Sequence, residues 1–175
     1  MAIRRILLLG DPALRQVSTP VSDVAAAASV IDDLRDTLHE FQRTHGFGRG
    51  ISAVQIGALS RVIYIEFEGA PYVLINPAFD HLSAETFELW DDCFSFPGLL
   101  VRVKRSCEVG LSFLDQTGNR QTLQASGAFS ELLQHEMDHL DGILAVDRAL
   151  DRNAFCLREE RTRQPTCASP ESPTR

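Results

Sequence analysis

The chain has 175 residues, enough for one domain with its own hydrophobic core. At 44% hydrophobic and 23% charged residues it reads as an ordinary globular chain rather than a low-complexity one. A net charge of −7 and a pI near 5.2 argue against direct DNA binding, because phosphate contacts need clustered Lys and Arg.

Near the N-terminus, Ile6, Leu7, Leu8 and Leu9 form an apolar run that stops at the turn Gly10-Asp11-Pro12. The run is shorter than the roughly 7–15 residues of an export signal. No segment approaches the ~20 apolar residues of a membrane span, so the expectation is a cytoplasmic protein with no membrane partner. The cysteines, at 93, 107, 156 and 167, make no CxxC pair. In a reducing compartment they read as buried apolar groups, ligands or nucleophiles rather than disulfides.

Residues 20–44 predict a helix, with Ser22 as its N-cap and Val24, Ala27, Ala28, Ile31, Leu34, Leu38 and Phe41 at helical spacing. Gly46, Gly48 and Gly50 end it in a loop. Residues 61–67 are β-branched and aromatic, hence a strand. Residues 72–75 read as another, stopped by Asn76-Pro77. Further strands are expected over 82–89, 99–103 and 107–114, with a hairpin loop at 115–119 and a return over 120–124. Ser126 then looks like an N-cap for a helix over 128–140, with Gly142 as C-cap. Residues 149–161 suggest a last, mostly polar helix, and 164–175 a disordered tail of Pro, Ser and Thr. The expected fold is α+β: one catalytic domain over 1–163, with antiparallel strands packed around a central helix and another helix near the N-terminus.

That central helix carries His135-Glu136-Met137-Asp138-His139, an HExxH pattern. Residues four apart on a helix lie about 40° from each other, so one metal ion can touch both imidazoles. Glu136, displaced about 100° around the axis, reaches a water beside the metal rather than the metal. A divalent metal lowers the pKa of bound water from ~15.7 to about 7. A neighbouring carboxylate can then carry its proton to a leaving amine. Chance predicts about 0.01 such patterns in a chain of this composition. The bland alternative is a surface helix with two solvated histidines. Phe129, Leu132, Leu133, Met137 and Leu140 instead give the helix a buried side, and a buried histidine needs a partner.

Two histidines do not hold a catalytic metal; three protein ligands are usual. No histidine follows His139, which excludes a third-His pattern downstream. Glu159 or Glu160 could serve, as in a zinc peptidase. So could Cys93, in Asp91-Asp92-Cys93-Phe94-Ser95-Phe96-Pro97-Gly98, because a thiolate is a strong ligand for zinc or ferrous iron.

Three segments together resemble the motifs of the peptide deformylase family. They are Gly48-Arg49-Gly50-Ile51-Ser52-Ala53-Val54-Gln55-Ile56-Gly57, the Cys-x-Ser-x-Pro stretch from Cys93 to Pro97, and HEMDHLDG from His135 to Gly142. Gly10-Asp11-Pro12-Ala13-Leu14-Arg15 and Ile75-Asn76-Pro77 agree as well, so the likeness runs over about 3–150. The resemblance implies Cys93, His135 and His139 as metal ligands and Glu136 as general base and acid. It implies Gln55 and the backbone N–H of Phe94 as donors to the carbonyl oxygen, and Gly50 as a point of close substrate approach. It further implies ferrous iron as the metal, with nickel, cobalt or zinc as substitutes. The reaction implied is removal of formyl from the N-terminal formyl-methionine of nascent chains, with a C-terminal helix (here Arg158, Arg161 and Arg163) able to meet the ribosome.

The chain departs from the usual family pattern in several places. Asp91 stands for a Glu that pairs with a downstream Arg, here Arg105, through one methylene less. Asp92 replaces a Gly and adds negative charge by the metal. Ser52 replaces an Ala. Arg49 and Glu131 fall where the substrate pocket, which Leu132 also lines, is normally apolar. Either Arg49 points to solvent and Glu131 to the outer face, or the two line a more polar pocket and admit a more polar formyl-amide. An HExxH peptidase with a glutamate ligand and a non-catalytic metal-binding relative are the competing readings.

Overall fold

The computed structural model describes residues 2–163, so the tail expected over 164–175 lies outside the described residues. Among the described residues, eight strands form two antiparallel sheets. The larger has the order β1 (Gly50–Ser52), β2 (Val62–Phe67), β3 (Ala70–Leu82), β6 (Glu108–Leu114) and β7 (Arg120–Ser126). The smaller joins β4 (Thr86–Asp92), β5 (Leu99–Ser106) and β8 (Phe155–Leu157). Three helices complete the fold: α1 (Ala28–His45), α2 (Gly127–Leu140) and α3 (Arg158–Arg163). The class is the expected α+β.

The large sheet is covered on both faces, which explains why β2 is apolar from Val62 to Ile65 rather than alternating. Val62 and Tyr64 pack toward Ile31, Leu34, Leu38 and Phe41 of α1. Ile63 and Ile65 pack toward Phe129, Leu133, Met137 and Leu140 of α2. The other side of α2 meets the small sheet, where Ser106 N–H donates to Gln134 and Arg105 to Asp138. Every residue from Phe129 to Leu140 is therefore buried, polar ones included. A helix lodged between two sheets can hold ionisable groups away from water, and α2 holds five consecutive ones or near neighbours: His135, Glu136, Asp138, His139 and, one turn earlier, Glu131.

Four local expectations need correction. The first helix begins at Ala28, not at residue 20. Asp23, not Ser22, accepts from a following N–H, that of Ala25 at 3.0 Å, and a 3-10 turn leads into the helix. The strand over 72–75 does not stop at Asn76-Pro77. It continues to Leu82 through a register shift between Ile75 and Ala78. Asn76 takes a left-handed φ of 52° there, and its side-chain amide clasps Val21 N–H and C=O at 2.7 and 2.8 Å. The strand expected over 82–89 is a turn at 83–85 followed by β4. The helix expected over 149–161 is broken where Asp151 accepts from Asn153 N–H. Phe155–Leu157 then add β8 to the small sheet before the short α3.

Candidate active site

On α2, Glu131, His135 and His139 follow one another at four-residue spacing and so share a stripe. Cys93 comes to that stripe from the end of β4. The chain turns sharply there, Phe96 N–H donating to Cys93 C=O and Leu99 N–H to Phe96 C=O. The Cys93 sulfur accepts from Ser95 N–H at 3.4 Å. It stands 3.2 Å from His139 Nε2, which stands 3.1 Å from His135 Nε2. These three ligand atoms lie within 4.8 Å of one another, all buried, and they are the one such metal-capable group among the described residues. Glu159 and Glu160 do not belong to it.

The donor set fits a divalent transition metal: one sulfur and two imidazole nitrogens, converging in a dry site. Burial, with His135 beside it, holds His139 well below the usual histidine pKa, in the neutral form a ligand needs. Burial pushes His135 the same way, but the negative charges of Asp91 and Cys93 outweigh it and raise His135 well above the usual value. The same charges favour a cation at this place.

Behind the ligands runs a line of buried charges. Asp91 Oδ1 lies 2.8 Å from His135 Nδ1, although the ring N–H is not aimed squarely at it. Asp91 Oδ2 accepts from Arg105 at 3.0 Å; the shorter side chain still reaches its expected partner. Arg105 donates on to Asp138 at 2.5 Å, and Asp138 accepts from Arg148 at 2.7 Å. Asp91 is held down to about 2: burial would raise it, but His135 and Arg105 prevail. No local sequence pattern announces the Asp91–His135 contact or the Asp138 junction, because they join residues from separate elements.

Glu136 is buried beside the ligands. Its Oε2 accepts from Ser52 Oγ at 2.6 Å. Burial pushes its carboxyl up to about 7, against the pull of His135 and Ser52. A carboxyl near neutrality both takes and returns a proton readily. Gly50 fits closely here, but against the protein: a Cβ on it would stand 2.8 Å from Glu136 Oε1. Gln55 is oriented by its own turn, its Oε1 accepting from Ser52 N–H at 2.9 Å. Its Nε2 is thereby aimed at the cluster, 3.6 Å from the Cys93 sulfur and 3.3 Å from Ser95 Oγ. Phe94 N–H has no acceptor among the described residues, while its ring stacks on Phe41.

These groups open on a cavity of about 430 Å³. Its wall includes both Arg49 and Glu131, which pair at 2.8 Å, so Glu131 does not lie on an outer face. Leu132 lines it too. Asp92 was expected to add charge next to the metal; Arg158 meets that charge at 2.6 Å and spreads over the Phe47 ring.

The polypeptide deformylase family model matches residues 3–154. The chain belongs to the peptide deformylase family. It is an enzyme of that family. Among its relatives, peptide deformylase 2 of Clostridium perfringens is 38% identical over 151 residues, covering 85% of this chain and 94% of that one. The peptide deformylase of Desulfitobacterium hafniense is 36% identical, covering 85% and 96%. Among solved structures, the peptide deformylase of Thermotoga maritima superposes with a TM-score of 0.81 at 28% identity, covering 86% of this chain and 100% of that one. That of Synechococcus elongatus in complex with actinonin gives 0.79 at 34% identity, covering 85% and 80%.

Proposed function

We propose that this chain removes the formyl group from the N-terminal formyl-methionine of nascent peptides, using a divalent metal held by Cys93, His135 and His139. The convergence of those three ligand atoms next to Glu136 and Gln55 carries the reading. Ferrous iron is the metal proposed in the cell, and zinc, nickel or cobalt suit the same donors. When bound, such an ion supplies Lewis acidity and makes water acidic enough to ionise near neutral pH.

The protein's part is positional. Glu136 takes the proton of the attacking water and returns it to the amine nitrogen as the formyl C–N bond breaks. Gln55 Nε2 and Phe94 N–H donate to the formyl oxygen as it gains negative charge, each contributing on the order of 10²–10³-fold. The products are formate and a free α-amine. Gly50 keeps the pocket floor thin enough for Glu136 to reach forward.

A cytoplasmic location belongs to this reading; no described helix is long and apolar enough to cross a membrane. Docking on the ribosome through α3 would rest on Arg161, beside Trp90, since Arg158 is engaged with Asp92 and Pro97.

The competing peptidase reading, with a glutamate ligand, is tested directly. Cys93→Ser should abolish tight metal binding and formate release, while Glu159→Ala and Glu160→Ala leave both intact. The opposite pattern would transfer the third ligand to α3 and end the deformylase reading.

A further inference from the structure

The cavity beside Glu136 has two kinds of wall. Phe47, Phe94 and Leu132 are apolar. Arg49 and Glu131 carry opposite charges and face the same space. The Glu131 side chain is only 6% exposed and that of Arg49 is 39% exposed. Arg49 is held by neighbours at its backbone and at its guanidinium. Its carbonyl accepts from Glu66 N–H at 2.7 Å, and its guanidinium also donates to Ala128 C=O at 3.3 Å.

Position follows from the helix. Glu131 is one turn before His135 on the same stripe, so the two Cβ atoms are about 6 Å apart. A substrate whose formyl group sits by Glu136 and Gln55 must place its first side chain within about that distance. The stem of that side chain then meets Leu132 and the aromatic rings, and its tip meets the ion pair.

Resting on the deformylase reading above, we infer that this pocket selects the first side chain by the polarity of its tip. A tip that hydrogen-bonds replaces the water it expels from Arg49 and Glu131. A hydrocarbon tip expels the same water and returns nothing, so the hydrogen-bonding positions that the pair does not use on itself go unfilled. The preferred substrate class is an N-formyl peptide whose first side chain has the length of methionine and a neutral hydrogen-bonding end, such as a carboxamide or a sulfoxide. The pair is neutral overall, so a charged tip gains less. Methionine, whose thioether is a weak acceptor, ranks between these and norleucine.

The test uses four formyl-peptides that differ only at the first residue: glutamine, methionine sulfoxide, methionine and norleucine. Formate release gives kcat/KM for the metal-loaded full chain and for the Arg49→Val/Glu131→Leu double variant. The full chain should prefer glutamine and methionine sulfoxide over norleucine by about tenfold. That is modest for a hydrogen-bonding site because Arg49 is partly solvated. The double variant should reverse the order. If all four peptides release formate and the full chain favours norleucine, the tip-polarity inference is overturned while the deformylase reading stands. If none releases formate, that reading itself has failed. The profile of the unaltered chain decides the matter even if the double variant does not fold.

Discussion

Replacing Gly50 with alanine puts one methyl group against the carboxylate that is to carry the proton. Gly50 is not among the residues with positive φ, so alanine brings no backbone strain of its own. The new Cβ would lie 2.8 Å from Glu136 Oε1 and 3.1 Å from both Glu136 Cγ and Leu132 Cδ1. Ordinary contacts begin near 3.4 Å, so Glu136 must withdraw by about 0.6 Å. It cannot do so freely, because Ser52 holds its other oxygen at 2.6 Å. A displacement near 1 Å can cost roughly 10²-fold in rate, so kcat should fall roughly 10–100-fold. The crowding itself costs ~1–3 kcal/mol, a drop in Tm of roughly 2–12 °C. Formate release, measured on protein of matched metal content and followed by a melting curve, separates the two effects. Full kcat in folded, metal-loaded Gly50→Ala would mean that the position of Glu136 does not govern the reaction.

Other consequences are equally direct. Arg105→Met removes the cation between buried Asp91 and Asp138. Stability should drop by ~3–5 kcal/mol, and Tm by roughly 6–20 °C, in a thermal melt; a change under about 2 °C would show the charge line to be idle. Asn76→Ala loses both a residue that tolerates φ of 52° and the clasp on Val21. Its urea midpoint should fall by the equivalent of ~1–3 kcal/mol, and Asn76→Gly, which restores only the backbone freedom, should recover part of it. Equal losses in the two variants would mean that the strained φ contributes nothing.

Much of the site was legible because its parts are local. Four-residue spacing on a helix places His135 and His139 together whatever surrounds them. The short segment around Cys93 marks a strand end that turns back. Contacts between elements were not legible in the same way. Nothing in the order of residues says that Ser52 would touch Glu136, or that Asp91, expected to meet Arg105, would touch His135 as well. Each depends on how β1, β4 and β5 seat against α2. At Asn76-Pro77 a strand absorbs the sequence break as a bulge, because Asn76 can adopt a left-handed backbone and bond Val21 through its side-chain amide. The run after 149 is a different case. Its polar residues suit a helix end, but Asp151 closes a turn and the open edge of β5 takes Phe155–Leu157 as a strand. Asp92 looked like an added charge at the metal until α3 brought Arg158 over it.

The central claim is that Glu136, beside the Cys93–His135–His139 cluster, moves the proton in the hydrolysis of an N-formyl amide. Its most direct test is formate release from a formyl-methionyl peptide by the anaerobically prepared, ferrous-iron-loaded chain and by Glu136→Gln at equal metal content. The full chain should release one formate for each free α-amine formed, and Glu136→Gln should be slower by about 10²–10⁴-fold with its metal retained. Equal rates in the two proteins, or no formate from the full chain, would contradict it.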